Sequence, residues 1–152
     1  MTTLCLQPIL NPDTNKLREA YEVVTDVSRK VGNVTIAVPK FFQYDGSSLP
    51  LVAWPVFGTP FSPHLMGASL FHDWLYHTHQ VTKKAADKLF HQMLIEDGVD
   101  NVKAWMMKQA VDDFGDGSWS NDSDDLGYIK RLTKRISDDG RTPAAYGLPP
   151  KP

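Results

Sequence analysis

Residues 69–76 read Ser-Leu-Phe-His-Asp-Trp-Leu-Tyr, with two ionisable side chains, His72 and Asp73, inside an apolar pattern. Leu70, Phe71, Trp74 and Leu75 recur at the spacing of a buried helical face, so the segment is expected to run through a core. A polar group buried there without a partner costs about 1–3 kcal/mol. The fold must therefore bring partners to His72 and Asp73 from elsewhere in the chain. That requirement constrains where the neighbouring helix and loop can lie.

The helices around this stretch have clear boundaries. Ser62 and Pro63 supply an N-cap and a first-turn proline, which predicts a first helix from about Pro63 to His79. Thr82 caps a second, whose stripe of Ala86, Leu89, Phe90, Met93 and Leu94 ends at Gly98. Asp100 or Asn101 opens a third, with Val102, Trp105, Met106 and Val111 expected inward and Gly115 at its end. The short connection between the first two helices makes them antiparallel neighbours. At helical rise, His72 lies roughly 10 Å before the turn and Asp87 roughly 8 Å after it, so the two are nearly level. A carboxylate so placed accepts a hydrogen bond from one imidazole nitrogen, fixes the tautomer and raises the basicity of the ring. Tyr76, one turn along from His72, is a donor to the same network. Asp73 points about 100° away around the helix. The pattern thus nominates His72 as base, Asp87 as its orienting carboxylate and Asp73 as a metal ligand or second carboxylate. Buried His-Asp-Tyr networks also pin helices together without any chemistry.

Upstream, Tyr21, Val23, Thr25 and Val27 alternate with Glu22, Val24 and Asp26, and Val34, Ile36 and Val38 alternate again. This predicts a β-hairpin bent at Gly32-Asn33 and ended by Pro39. Residues 1–20 read as an N-terminal arm. Residues 40–63 form a long connection rich in aromatics, proline and glycine, of a length that is usually functional when ordered. Within it, Asp45 is either an Asx-turn before Gly46 and Ser47 or a carboxylate delivered to the His72 site as a further metal ligand.

All five histidines fall between residues 64 and 91, but without the spacing of a helical zinc pair. His64, His77 and His79 are expected to be structural, and His91, four residues from Asp87, to support it. The C-terminal third of the chain has a different character. Asp112, Asp113, Asp116, Asp122, Asp124 and Asp125 make an acidic stretch that reads as a linker. Ile129, Leu132 and Ile136, with Lys130, Arg131, Lys134 and Arg135 between them, predict a short basic amphipathic helix that docks on its own domain, on a partner or on an anionic surface. Residues 142–152 should be extended and polyproline-like. The expected architecture is α+β: a small antiparallel β-hairpin layer packed with three main helices. It spans one globular domain over 21–118, flanked by arms at 1–20 and 119–152.

Composition narrows the function classes. A net charge of −2 argues against a general polyanion binder, so no nucleic-acid partner is expected. The lone Cys5 excludes an internal disulfide. No stretch approaches the ~20 apolar residues that span a bilayer, and residues 1–20 lack a signal-peptide layout, which makes a cytoplasmic origin the expectation.

The ordered set Val34-Thr-Ile-Ala-Val-Pro39, Asp45-Gly-Ser-Ser48-Leu-Pro50, His72-Asp73-Trp-Leu-Tyr76, Ala86-Asp87-Lys-Leu-Phe90 and Phe114-Gly115 resembles a bacteriophage and prophage family, domain-of-unknown-function family 1353. The resemblance covers about residues 20–118 and implies a viral or prophage origin without an activity. More locally, His-Asp-x-x-Tyr followed by Ala-Asp-x-x-Phe resembles the core of phospholipases A2, particularly the disulfide-free form fused to parvovirus capsid proteins. That resemblance implies that His72 activates water, Asp73 holds Ca²⁺, Asp87 orients His72 and Tyr76 joins the network. Its calcium loop has only Val56-Phe-Gly58-Thr-Pro60 as a counterpart, with a single glycine. His-Asp phosphohydrolases offer a rival pattern, with His72, Asp73 and Asp45 as ligands, but need upstream histidines that this sequence lacks. Two expectations result: a metal-assisted hydrolase acting on an ester of lipid or cell-envelope material, or a non-catalytic virion or assembly component. In the second, residues 119–152 bind other phage proteins or further copies of the chain.

Overall fold

Two stretches far apart in sequence fold together: residues up to Asp45 and those from Ser123 onward form one unit, while Gly46–Asp122 form a second. The computed structural model describes residues 4–119 and 123–149, except the side chains of Glu19, Ser123 and Asp124. Its antiparallel sheets and helices make it an α+β protein. Among the described residues no helix is long and apolar enough to cross a membrane.

The first unit holds two small sheets. Strands β1 (Leu6–Leu10), β2 (Leu17–Val23) and β5 (Gln43–Tyr44) form one in the order β1-β2-β5. Strands β3 (Val27–Val31) and β4 (Val34–Val38) form the other, a hairpin in register from Val27↔Val38 to Val31↔Val34. Gly32, at φ +57°, takes the turn as expected, and β4 stops before Pro39. Two expectations need correction. Residues 6–10 and 17–20, expected within an arm, are paired strand. The alternation from Tyr21 to Val27 is also not one strand, because β2 ends at Val23 and β3 begins at Val27, with Asp26 in the break between them. There the carboxylate accepts Lys40 N–H at 2.7 Å and the Tyr146 hydroxyl at 2.6 Å, and pairs with Arg141. Side-chain bonds have replaced the ladder at that point.

Helix α6 (Ser123–Asp138) buries Leu132 and Ile136 in this unit, and Arg135 grips Glu22 with bonds of 2.8 and 3.3 Å. Beyond it, Pro143–Tyr146 is a 3-10 turn with Tyr146 and Leu148 buried, rather than an extended polyproline tail. Buried anchors, absent from the expectation, decide that conformation. Residues 150–152 lie outside the described residues.

In the second unit, a 3-10 turn (Leu51–Ala53) leads into α1 (Trp54–Phe57), followed by α2 (Pro63–Thr78), α3 (Lys83–Glu96), α4 (Asn101–Phe114) and α5 (Asp116–Trp119). The three long helices match their predicted boundaries closely. Thr82 Oγ1 accepts from Ala85 N–H, and the Asp100 side chain accepts from Val102 and Lys103 N–H. Residues 67–76 of α2 are buried without interruption, so this helix is enclosed on all its faces. Helix α4 corrects the predicted face. Ala104, Met107 and Val111 point inward, whereas Val102, Trp105 and Met106 are exposed. The helix carries two apolar stripes, and periodicity alone does not say which one meets α3. The expected acidic linker is largely helical, since Asp112 and Asp113 close α4 and Asp116 opens α5. Asp122 lies outside the described residues.

Candidate functional site

Antiparallel packing of α2 on α3 brings His72 Nε2 to 2.8 Å from Asp87 Oδ1. The Tyr76 hydroxyl donates to the same oxygen at 2.7 Å. Lys83, four residues before Asp87 on α3, donates to Oδ2 at 3.0 Å and also to the Val111 and Asp112 carbonyls near the end of α4. One carboxylate therefore ties three helices. His72 is clamped between aromatic rings, with Phe90 stacked at 4.5 Å and Tyr76 at 4.2 Å between centroids.

The loop after Gly46 completes the cluster. Asp73 Oδ1 accepts Ser48 N–H at 3.0 Å and the Ser47 hydroxyl at 3.2 Å, which places Ser48 Oγ 3.0 Å from His72 Nδ1. Gly46 makes this turn possible. It sits at φ +72°, and a Cβ there would lie 2.2 Å from Pro60 Cγ.

Charge states follow from these contacts. Burial alone pushes the Asp87 carboxyl up, but His72, Tyr76 and Lys83 outweigh it and bring it down to about 2. Burial pushes the His72 imidazolium below its usual range, and the Asp87 carboxylate offsets only part of that. The Tyr76 phenol is pushed up by burial and by its bond to Asp87. At neutral pH Asp87 is ionised and His72 neutral. Nε2 must then carry the ring proton, and Nδ1 accepts the Ser48 hydroxyl. Ser48, His72 and Asp87 form a relay with the connectivity of a serine-nucleophile triad.

Access runs against chemistry. His72, Asp73 and Asp87 are 0% exposed and Tyr76 is 1% exposed. The predicted set thus divides. His72, Asp87 and Tyr76 meet as expected, and Asp73 turns to the serine loop. Asp45 is exposed and is the last residue of the other unit, one position before Gly46. No hydrogen bond joins His91 to Asp87 among the described residues. His79 stacks on Trp119 at 3.9 Å and bonds its carbonyl, a structural use. Two members escaped the sequence reading. Lys83 was legible as the i−4 partner of Asp87, whereas Ser48 stood only within the Asp45-Gly-Ser-Ser48-Leu-Pro50 motif, with no role of its own.

A family model described as "Protein of unknown function (DUF1353)" matches residues 19–111. Two proteins of Sinorhizobium fredii (strain NBRC 101917 / NGR234) are similar to this chain. Uncharacterized protein y4iH is 31% identical over 71 residues, 47% of this chain, and uncharacterized protein y4jT is 30% identical over 99 residues, 64% of this chain. In each case the match covers 30% of the relative's own length. No solved structure matches.

Proposed function

This chain belongs to the DUF1353 family, and we propose that it is a non-catalytic component of a phage or prophage assembly, with the His72 centre serving to hold its fold. The observation that carries this reading is the complete burial of His72, Asp73 and Asp87. A base that solvent cannot reach has no water to activate. The metal role expected for Asp73 falls to Oδ2, which lies 3.9 Å from His77 Nε2, because Oδ1 already takes an N–H and a hydroxyl.

The surface offers what the buried centre does not. The outer stripe of α4, with Trp105, Met106 and Phe114, faces Val52, Val56 and Phe57 across a cavity of about 380 Å³. Trp105 is 55% and Phe114 61% exposed. Contiguous exposed apolar surface of this kind marks interaction sites, and a groove beside a helix suits the apolar face of another helix. The occupant we assign is an amphipathic helix of a neighbouring subunit. The longer relatives support this reading, because most of their length lies outside the match and places the shared domain beside further polypeptide.

Trp105→Glu and Phe114→Glu change exposed side chains, so their melting should stay within about 0.5 kcal/mol of the parent chain. In purified particles of the phage or prophage that encodes the chain, immunoblotting should find either variant reduced at least tenfold. Incorporation at the parent level rejects this surface as the contact.

A second reading, a hydrolase acting on an ester of lipid or cell-envelope material, is favoured by one observation, the Ser48–His72–Asp87 relay. It requires the 46–62 loop to open. Fluorogenic phospholipid, carboxyl-ester and phosphodiester substrates, with and without Ca²⁺, test it. Activity that falls at least a hundredfold in both Ser48→Ala and His72→Ala supports catalysis, and equal inertness of all three proteins rejects it.

A further inference from the structure

The first unit contains a second cavity of about 380 Å³, lined by Arg18, Phe41, Gln43, Tyr128, Arg131, Leu132 and Arg135. Its volume lies within the roughly 300–1,000 Å³ usual for small-ligand sites. Three guanidinium groups face it and only one is committed. Arg135 forks onto Glu22 and sits over the Phe41 ring, 3.9 Å from its centroid. Among the described residues neither Arg18 nor Arg131 is held in an ion pair, and both are exposed. The pocket is therefore cationic in a protein whose net charge is −2.

Its placement comes from two elements. Tyr128, Arg131, Leu132 and Arg135 recur at three- and four-residue spacing, so they share one face of α6. Arg18 projects from β2, and Gln43 from β5 ties the two together by donating its N–H to the Tyr128 hydroxyl at 2.7 Å. Phe41 is the independent sign. It holds φ +82°, a conformation that costs a non-glycine residue about 1–3 kcal/mol and tends to persist at ligand clamps. Its backbone N–H donates to Val23 O at 2.9 Å, and Lys40, Arg135 and Arg141 crowd its ring.

We propose that this pocket binds a small phosphate ester. Arg18 and Arg131 take the phosphate, and Tyr128 and Leu132 take the organic group. Guanidinium forks match phosphate oxygens in pairs, which a lysine-lined site would not do. The cavity is larger than a bare phosphate needs, and its apolar lining gives the remaining space to a carbon skeleton. Arg135 contributes orientation, because Glu22 already neutralises it.

Calorimetric titration of the full chain with phenyl phosphate, inorganic phosphate and a ten-nucleotide oligothymidylate tests the assignment. Phenyl phosphate should bind once per chain and at least tenfold more tightly than inorganic phosphate. Arg18→Ala and Arg131→Ala, which alter exposed side chains and should leave the melting temperature in place, should each weaken it about tenfold. No saturable heat with phenyl phosphate, or unchanged affinity in both variants, overturns the proposal. Tighter binding of the oligonucleotide, lost in the same variants, overturns it in favour of a nucleic-acid groove.

Discussion

Replacing Asp87 with alanine should cost about 3–5 kcal/mol of folding stability, the range found when one partner of a buried charged pair is removed. The side chain is fully buried and accepts from His72, Tyr76 and Lys83 at once. Its loss leaves His72 Nε2 and the Tyr76 hydroxyl without an acceptor and takes the counter-charge from Lys83, which keeps only the Val111 and Asp112 carbonyls. Since a whole domain is usually stable by about 5–15 kcal/mol, this one change removes a large share. Asp87→Asn keeps the shape and one acceptor, so it should cost less, with Lys83 bearing most of the damage. Urea denaturation followed by circular dichroism measures both, and a loss below about 1 kcal/mol for the alanine variant would remove the carboxylate from the centre of the fold.

The same group gives the pH dependence a sign. In the folded state the Asp87 carboxyl sits at about 2, against an ordinary 3.8, so its contribution is complete above pH 3.8 and is lost as pH falls toward 2. The His72 imidazole is depressed below 6.5 by burial, so the unfolded chain takes up that proton first and stability begins to fall as pH drops below 6.5. Both effects destabilise in acid. Each proton contributes at most about 1.4 kcal/mol per pH unit, so the parent chain should decline below pH 6.5 and faster between about pH 4 and pH 2, where Asp87 adds to it; Asp87→Ala should lose that added part, while Asp26, also held below 3.8, keeps its own.

Gly46→Ala should be nearly as damaging, at about 2–5 kcal/mol, from a left-handed backbone cost of about 1–2 and overpacking of about 1–3. The new Cβ would lie 2.2 Å from Pro60 Cγ and 2.7 Å from Pro60 Cβ, so the loop must shift. Any shift draws Ser47 and Ser48 away from Asp73 and His72. Gly98→Ala is the matched control, because Gly98 has φ +85° but nothing within 4 Å of a Cβ. It should lose only the conformational part. If the two alanine variants melt together, the contact with Pro60 is not what holds the loop, and the position of Ser48 needs another cause.

The centre was readable where its members lie on regular helices. Spacing from a short turn put His72 level with Asp87, and one helical turn put Tyr76 on the same face. Ser48 was unreadable because its position depends on a left-handed glycine packed against a proline fourteen residues later, which no periodicity encodes. The exposed stripe of α4 was misread for a different reason. Val102, Trp105 and Met106 are as apolar as Ala104, Met107 and Val111, and only the packing partner distinguishes the two faces. Strand β1 and the Leu17–Ala20 part of β2 were hidden by composition: Pro8 interrupts the first, and Arg18 and Glu19 give the second no apolar alternation to stand out from an arm.

The two-part make-up of the first unit has a consequence for synthesis. Gly46–Asp122 is continuous, so a ribosome delivers it whole, and it can mature while translation goes on. The hairpin and the three-stranded sheet emerge earlier but must wait for α6, whose Leu132 and Ile136 fill their unit and whose Arg135 closes on Glu22. Until then the apolar surface that Leu132 and Ile136 cover is left open, the state in which nascent chains associate with the wrong neighbour. A stop codon just before Ser123 would leave that risk permanent, so nonsense lesions there should yield aggregates rather than a shortened working protein.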